Sequence, residues 1–250
     1  MVGINAAIIN GANTIGFAIP VAVVKQILPQ LQKNGKVSRG YLGVQPQAIT
    51  ADMVDQLGLK STRGALLADV VKDGPAAAAG LRPGDVVVGL NGRPVSDNNQ
   101  LTRDVGAVMP GSMLKLDVIR EGKPRSFEFK VSPRPDETEE VAQSKGDKGQ
   151  SESAEGDLLG LQVEDLTPDL ARRARVEAGT KGAVVLDVTP DSPASHAGIE
   201  PGFVVLEVNR KEIVSAADYR KAVKSLKKGD TALVRVKSGP GTQYLPVRVK

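Results

Sequence analysis

The side chains that most often perform catalysis or bind metals are scarce in this sequence. It contains no cysteine and one histidine, His196. Thiol chemistry and metal sites built on several histidines are therefore excluded, and we expect no metal and no cofactor. His196 stands in the segment Ser195-His-Ala-Gly198, which is typical of a short exposed helix. No serine lies in a Gly-x-Ser-x-Gly elbow, so we expect no catalytic residue in this chain.

The composition is that of a globular protein with an aliphatic core. Hydrophobic residues make up 40% of the 250 residues and charged residues 25%, with four Phe, three Tyr and no Trp. The net charge of +4 is too small to indicate nucleic-acid binding, and so few rings provide no platform for stacked bases. The longest apolar stretch, residues 15–31, is interrupted by Pro20, Lys25 and Pro29. We expect an amphipathic helix there and no membrane span.

An internal repeat organises most of the chain. Residues 64–91 match residues 182–209 without a gap, and 14 of these 28 positions are identical. The offset of 118 residues is too long for a solenoid unit, so the pattern indicates a duplicated domain. Between the copies, residues 133–156 are rich in Pro, Ser, Gly, Glu and Lys and nearly free of apolar residues. That composition predicts a flexible linker.

Both copies predict the same order of short elements. In the first copy an apolar strand at 64–71 precedes a helix that begins at Pro75, and a further strand covers 86–91. A second helix is expected after Asp97, and its counterpart after Ser215, because both residue types are favourable N-caps. Two closing strands complete each copy.

These motifs carry a family resemblance. Each copy contains Pro-Ala-x-x-Ala-Gly, then Pro-Gly, a strand and an Asn turn, and in this it resembles a PDZ domain of the circularly permuted bacterial kind. The head of the chain, with Val2-Gly-Ile-Asn and Ile15-Gly-Phe-Ala-Ile-Pro20, is similar to the end of the protease domain in HtrA/Deg (Do-like) serine proteases. The resemblance implies a mainly β fold with short helices. Two permuted PDZ domains, each a partly open β-barrel with two helices, would follow a hairpin and helix from a trypsin-like barrel.

The resemblance divides the chain into four parts. These are a protease remnant at 1–36, a first PDZ domain at 38–132, the linker at 133–156 and a second PDZ domain at 157–250. The family's Gly-Asn-Ser-Gly-Gly-Pro nucleophile segment and its catalytic His and Asp segments do not occur in the sequence. His196 cannot substitute for them, because a Ser-His-Asp mechanism needs a base within hydrogen-bond reach of the nucleophile. We therefore expect no peptidase activity from this chain and a serine endopeptidase as its longer parent.

The resemblance also implies a peptide-binding site in each copy. A glycine beside apolar residues lets consecutive backbone amides converge on the carboxylate of a peptide C-terminus, while the peptide adds a strand and places its last side chain in a pocket. The residues that match this site in the first copy are Tyr41, Leu42, Gly43, Val44, Leu101 and Val105. A weaker second site would use Leu158, Leu159, Gly160, Leu161, Tyr219 and Val223.

The implied function is peptide binding by the tandem PDZ domains of an HtrA-like periplasmic endoprotease that degrades misfolded proteins. Its partners would be C-terminal or extended segments of unfolded or envelope proteins. The N-terminus lacks the order of basic, apolar and small residues of a secretory signal, so a periplasmic location is expected of the parent. We expect the parent to be a homo-oligomer and this chain to be monomeric or weakly associating. The alternative is a stand-alone tandem-PDZ adaptor without a protease.

Overall fold

The protein is mainly β, with several antiparallel sheets and short helices, as the sequence predicts. The structure is a computed structural model that describes residues 2–8, 16–35, 37–134, 157–177 and 179–249. Within these ranges the strands form two six-stranded sheets and two pairs, and none of the sheets closes into a barrel. The predicted linker lies, from residue 135 to 156, outside the described residues.

The chain begins with a hairpin followed by a helix. Strands β1 (Gly3–Ile8) and β2 (Gly16–Pro20) pair antiparallel, and α1 (Val21–Asn34) follows directly. The helix ends at Gly35, which adopts φ +68° and donates its amide to the Leu31 carbonyl at 2.9 Å. A glycine suits this left-handed terminus because it has no Cβ to clash.

The first repeat, residues 38–134, contains eight strands and three helices. In chain order they are β3 (Gly40–Tyr41), β4 (Val44–Gln47), α2 (Ala51–Leu57), β5 (Ala65–Val70), α3 (Pro75–Ala78), β6 (Val86–Leu90), β7 (Arg93–Pro94), α4 (Asn98–Ala107), β8 (Met113–Arg120), β9 (Lys123–Lys130) and β10 (Ser132–Pro133). The main sheet has the order β4-β5-β6-β8-β9, with β7 beside β6, while β3 pairs with β10. Strand β4 therefore lies at an edge of the main sheet.

The second repeat, residues 157–249, has the same order of elements, except that its described residues form no counterpart of β3 and β10. Its elements are β11 (Leu161–Asp165), α5 (Pro168–Arg173), β12 (Ala183–Val188), α6 (Pro193–His196), β13 (Val204–Val208), β14 (Lys211–Glu212), α7 (Ala216–Lys224), β15 (Thr231–Ser238) and β16 (Gly241–Arg248). The sheet order is β11-β12-β13-β15-β16, with β14 beside β13. Strands β11 and β16 are its two edges.

Local sequence explains where the longer helices start. The Asp97 side chain accepts the Gln100 amide at 2.8 Å, and the Ser215 hydroxyl accepts the Asp218 amide at 3.2 Å, so both predicted N-caps are formed. Helices α2 and α5 add a third helix to each repeat that the sequence pattern did not predict. Each is at most seven residues long, too short for an apolar stripe to show a clear period.

A hydrophobic cluster joins the two repeats. Besides the separate core of each repeat, one cluster combines side chains from α2, β5, β6 and the segment between β4 and α2 with two from β15 and β16 of the second repeat. Tyr244 is its largest contribution from the second repeat and is 1% exposed. The buried members of this joint cluster are Ile49, Met53, Leu57, Leu66, Ala68, Val86, Leu233 and Tyr244.

Two glutamines of β4 cover the outer edge of β16. The Gln47 side-chain amide donates to the Tyr244 carbonyl and accepts the Tyr244 amide, both at 2.8 Å. Two residues earlier, Gln45 Oε1 accepts the Thr242 amide at 3.2 Å, and the Thr242 hydroxyl donates to Asp69 at 2.9 Å. A side-chain amide has one donor side and one acceptor oxygen, so Gln47 replaces the peptide group of a neighbouring strand.

The repeats differ in one buried ion pair. In the first repeat Arg120 donates two hydrogen bonds to Asp85, from Nε to Oδ1 at 2.6 Å and from an Nη atom to Oδ2 at 2.7 Å. Asp85 is 1% exposed and also accepts the Arg82 amide at 2.9 Å. Hydrogen bonding to Asp85 raises the pKa of Arg120. The second repeat has Phe203 and Ser238 at the equivalent positions, so both partners have been replaced together.

We predict that Gln47→Ala loosens the contact between the repeats. Loss of two partly buried bonds should lower the stability of that contact by about 2 kcal/mol and increase the radius of gyration in X-ray scattering. Gln56→Ala is the matched control. The backbone carbonyl of Gln56 accepts a hydrogen bond from Arg210 at 2.9 Å, and the Gln56 side chain is not needed for that bond. Equal effects of the two variants would contradict this assignment.

We also predict that Asp85→Ala destabilises the first repeat by about 2 to 3 kcal/mol, measured by urea unfolding, because it leaves a largely buried guanidinium without its anion. The double variant Asp85→Phe, Arg120→Ser installs the residues of the second repeat and leaves no unpaired charge. The double variant should lose less unfolding free energy than the single variant. A larger loss would show that the two residues do not contribute to stability as a pair.

Candidate functional site

The first loop, residues 41–44, leads into the edge strand β4. Gly43 adopts φ +71°, a conformation that favours glycine. The Gly43 carbonyl accepts the Val71 amide at 2.8 Å, and the Leu42 carbonyl accepts the Ala76 amide at 3.0 Å. Because the bonded pair is 43 and 71, the amide of Val44 points away from β5, towards the open side of the sheet. The loop is thus fixed by its carbonyls, and the amide of Val44 faces outward.

All six residues predicted for the first site line one cavity of about 780 Å³, which we call the first groove. The loop and β4 form one wall, and helix α4 forms the other through Leu101 and Val105. Pro46 also lines it, so alternate residues of β4 face the groove while Gln45 and Gln47 face the second repeat. The structure therefore brings the predicted residues together.

Helix α1 supplies a part of the groove that the sequence did not indicate. Val23, Ile27 and Gln30, spaced as neighbours on one helix face, line the cavity. Gln30 also accepts the Ser38 amide at 3.0 Å, which ties the helix to the segment before the first loop. The spacing alone could have shown a helix face, but which groove it meets depends on how the chain turns at Gly35.

The groove is lined by arginines as well as apolar side chains. Arg39, Arg103 and Arg134 lie in its wall, and Arg134 donates its backbone amide to the Arg39 carbonyl at 3.1 Å. Among the described residues, none that lines this cavity is acidic. A cavity that combines outward-facing amides, an apolar wall and cationic side chains favours a ligand with an anionic end and an apolar side chain.

The second loop, residues 158–161, has the same backbone arrangement. The Leu159 carbonyl accepts the Ala194 amide at 2.9 Å, and the Gly160 carbonyl accepts the Thr189 amide at 2.8 Å. Gly160 has φ +83°, and a Cβ on it would lie 2.2 Å from the Ser192 Cβ. These bonds match those of Leu42 and Gly43, so the alignment of the two loops holds in space.

The amides of the second loop are bonded by the chain itself. Asp157 Oδ1 accepts the amide of Leu159 at 2.9 Å and that of Leu161 at 3.2 Å. The carbonyl of Asp157 accepts the Gly160 amide at 2.8 Å. Three consecutive amides that would face a bound carboxylate therefore bond to a single residue immediately before the loop.

The remaining predicted residues of the second site are mostly buried. Leu159, Leu161, Tyr219 and Val223 belong to the core of the second repeat, while Leu158 is exposed. Burial, with a further contribution from the Asp157 carboxylate, raises the pKa of Tyr219. The Tyr219 ring thus extends from α7 to the neighbourhood of the second loop.

His196 does not belong to either groove. It is exposed at the end of α6, and its Nδ1 lies 2.8 Å from the Ser192 carbonyl of the same helix turn. In the described ranges, no group of three or more His, Asp or Glu side chains is placed to hold a metal ion. The helices in those ranges are all too short or too polar to cross a membrane.

The sequence pattern of the PDZ domain family matches residues 40–131 and residues 157–249. These two matches fall on the first and second repeats and cover more than half of the chain.

Curated relatives match along nearly the whole chain. A "Probable periplasmic serine endoprotease DegP-like" from Pseudomonas putida (strain W619) is 36% identical over 239 residues, which are 94% of this chain and 49% of that protein. A protein of the same name from Chlamydia trachomatis serovar D is 34% identical over 251 residues, 99% of this chain and 48% of the relative. The chain therefore spans about half the length of the curated relatives that it matches.

A solved structure is also similar. The HtrA-type protease AlgWS227A with decapeptide superposes with a TM-score of 0.51 at 35% identity, over 55% of this chain and 43% of that chain. With two matched domains and relatives along most of its length, the chain belongs to the PDZ domain family and is homologous to the DegP-like serine endoproteases of the HtrA group.

Proposed function

We propose that the first repeat binds the free C-terminus of peptides and unfolded proteins in its groove. The observation that carries this proposal is the cavity between the first loop and α4, where outward-facing amides meet an apolar wall. The carboxylate would accept the amides of the first loop, as in anion-binding turns. The solved relative that contains a decapeptide supports a peptide as the ligand.

The peptide would add an antiparallel strand to the open edge of β4. Its backbone would pair with the outward amide of Val44, and its last side chain would enter the space between Leu42, Leu101 and Val105. Arg39 and Arg103 would strengthen binding of the terminal carboxylate through the positive potential in the groove. An apolar C-terminal residue is therefore the preferred ligand end.

We further propose that this chain serves a periplasmic serine endoprotease that degrades misfolded proteins. The names of the relatives support this activity for a protein of their length, about half of which this chain matches. The PDZ repeats would then present or sense chain ends for a protease domain that precedes them. Partners among unfolded envelope proteins follow from the same proposal.

The alternative, a tandem-PDZ adaptor without a protease, is less well supported. The relative from Chlamydia trachomatis aligns with 99% of the chain, so its match includes most of the segment before the two repeats. Hydrolysis of unfolded casein by the longer protein, lost on treatment with a serine-directed inhibitor, would distinguish the protease. The 250-residue chain alone should hydrolyse none.

We predict that a peptide with a free apolar C-terminus binds this chain with micromolar affinity in calorimetry, about −8 kcal/mol. C-terminal amidation should weaken binding about tenfold or more, because the loop amides lose a charged acceptor. Leu101→Asp should abolish binding by placing a negative charge in the pocket wall.

Asn99→Asp is the control, because it adds the same charge to α4 at an exposed position that does not line the groove. Circular dichroism checks that both variants remain folded. Equal affinity for the acid and amide peptides would refute carboxylate recognition whatever the variants do.

A further inference from the structure

In the second repeat, the region equivalent to the first groove lies between α7 and the second loop with β11, and we call it the second groove. It is closed by more than the bonds of Asp157. Strand β11 corresponds to β4, and a peptide added there would need the backbone groups on its open edge. Arg220 of α7 donates to the Val163 carbonyl of β11 at 3.4 Å, and Asp165 at the end of β11 accepts the Ala216 amide of α7 at 2.7 Å. In the first repeat, by contrast, none of the described residues of β4 and α4 are joined by a hydrogen bond.

Tyr219 occupies the place of a pocket wall. Its equivalent in the first repeat is Leu101, which lines the open cavity. The larger Tyr219 ring is fully buried and belongs to the same hydrophobic cluster as Leu159 and Leu161 of the second loop. The buried Tyr219 hydroxyl and Asp157 Oδ2 have no hydrogen-bond partner among the described groups. The ring therefore lies in the core beside the second loop, where the first repeat has the smaller Leu101.

The first repeat cannot be closed in the same way. Gly40 is the residue equivalent to Asp157, since each stands immediately before its loop. A Cβ on Gly40 would lie 2.4 Å from the Val105 carbonyl oxygen and 2.8 Å from that of Val108, so the end of α4 excludes any side chain there. The first repeat therefore has no side chain at position 40, whereas the second repeat has a carboxylate at the equivalent position 157.

We propose that Asp157 is an internal ligand of the second repeat, whose carboxylate takes the place of a peptide C-terminus while Tyr219 fills the pocket. This inference rests on the proposed function for the meaning of the loop. It assigns peptide binding to the first repeat alone, and it makes the second repeat a domain that closes its own groove and packs against β4 through its opposite edge strand, β16.

The test uses the full chain and a peptide with a free apolar C-terminus, followed by NMR at the loop amides. In the unaltered protein, saturating peptide should shift the amides of Leu42, Gly43 and Val44 and leave those of Leu159, Gly160 and Leu161 unchanged. Specific, saturable shifts at the second loop of the unaltered protein would overturn the proposal. This part of the test uses only the unaltered protein, so its result does not depend on whether a variant folds.

The second arm restores the residues of the first repeat. Asp157→Gly with Tyr219→Leu should open a second site, so that the Leu159 to Leu161 amides shift on titration with an affinity within about tenfold of that of the first repeat. Glu164→Ala with Tyr219→Leu is the matched control, because it removes an exposed negative charge from β11 but keeps Asp157 on the loop. A folded Asp157→Gly, Tyr219→Leu protein that binds nothing at the second loop would contradict the proposal.

The two proposals fail in different ways. If the first groove does not bind C-termini, the shifts at Leu42 to Val44 are missing in every variant. If Asp157 is not an internal ligand, the shifts at the second loop are the same with and without Asp157. Binding at the second loop in the double variant alone, without binding at the first, would support the internal ligand and reject the proposed function.

Discussion

The arrangement of this protein depends on two roles of strand β4: it leaves one edge free for a ligand and it binds the second repeat through its side chains. Its open edge and its groove-facing residues, Val44 and Pro46, form one wall of the first groove. Its other residues, Gln45 and Gln47, bond to the backbone of β16 in the second repeat. Because side chains alternate along a strand, four residues can serve both contacts without competition. Any change in the register of β4 would exchange the two sets and destroy both.

Duplication of one domain has been followed by divergence at matching positions. The buried Asp85–Arg120 pair has become Phe203 and Ser238, and Gly40 and Leu101 correspond to Asp157 and Tyr219. Asp157 accepts the amides of Leu159 and Leu161, and Tyr219 places a buried ring where the first repeat has Leu101. In the same repeat, the edge strand β16 is covered by the first repeat rather than left open, which removes an unpaired edge from solvent. The second repeat therefore gains internal contacts where the first keeps an opening.

The sequence predicts much of this fold because its signals are local and occur twice. The strands and the N-caps Asp97 and Ser215 follow from short motifs at a fixed offset, whereas the six residues around the first groove follow from the family resemblance. The contacts between Gln47 and Tyr244 could not be predicted, because they join residues 197 positions apart through side chains that look like ordinary exposed strand positions. The role of Asp157 could be recognised only from the conformation of the loop. From the sequence alone, an acidic residue at the entrance of a groove could equally repel the carboxylate of a ligand or take its place.

A crystal structure of this chain with a peptide that has a free apolar C-terminus is the most direct test of peptide binding by the first repeat alone. We predict a peptide strand beside β4, with its carboxylate on the amides of Leu42 to Val44, the bonds between Gln47 and Tyr244 intact, and Asp157 still on the second loop. A peptide bound at Leu159 to Leu161 with Asp157 displaced, or inserted between β4 and β16, would contradict it.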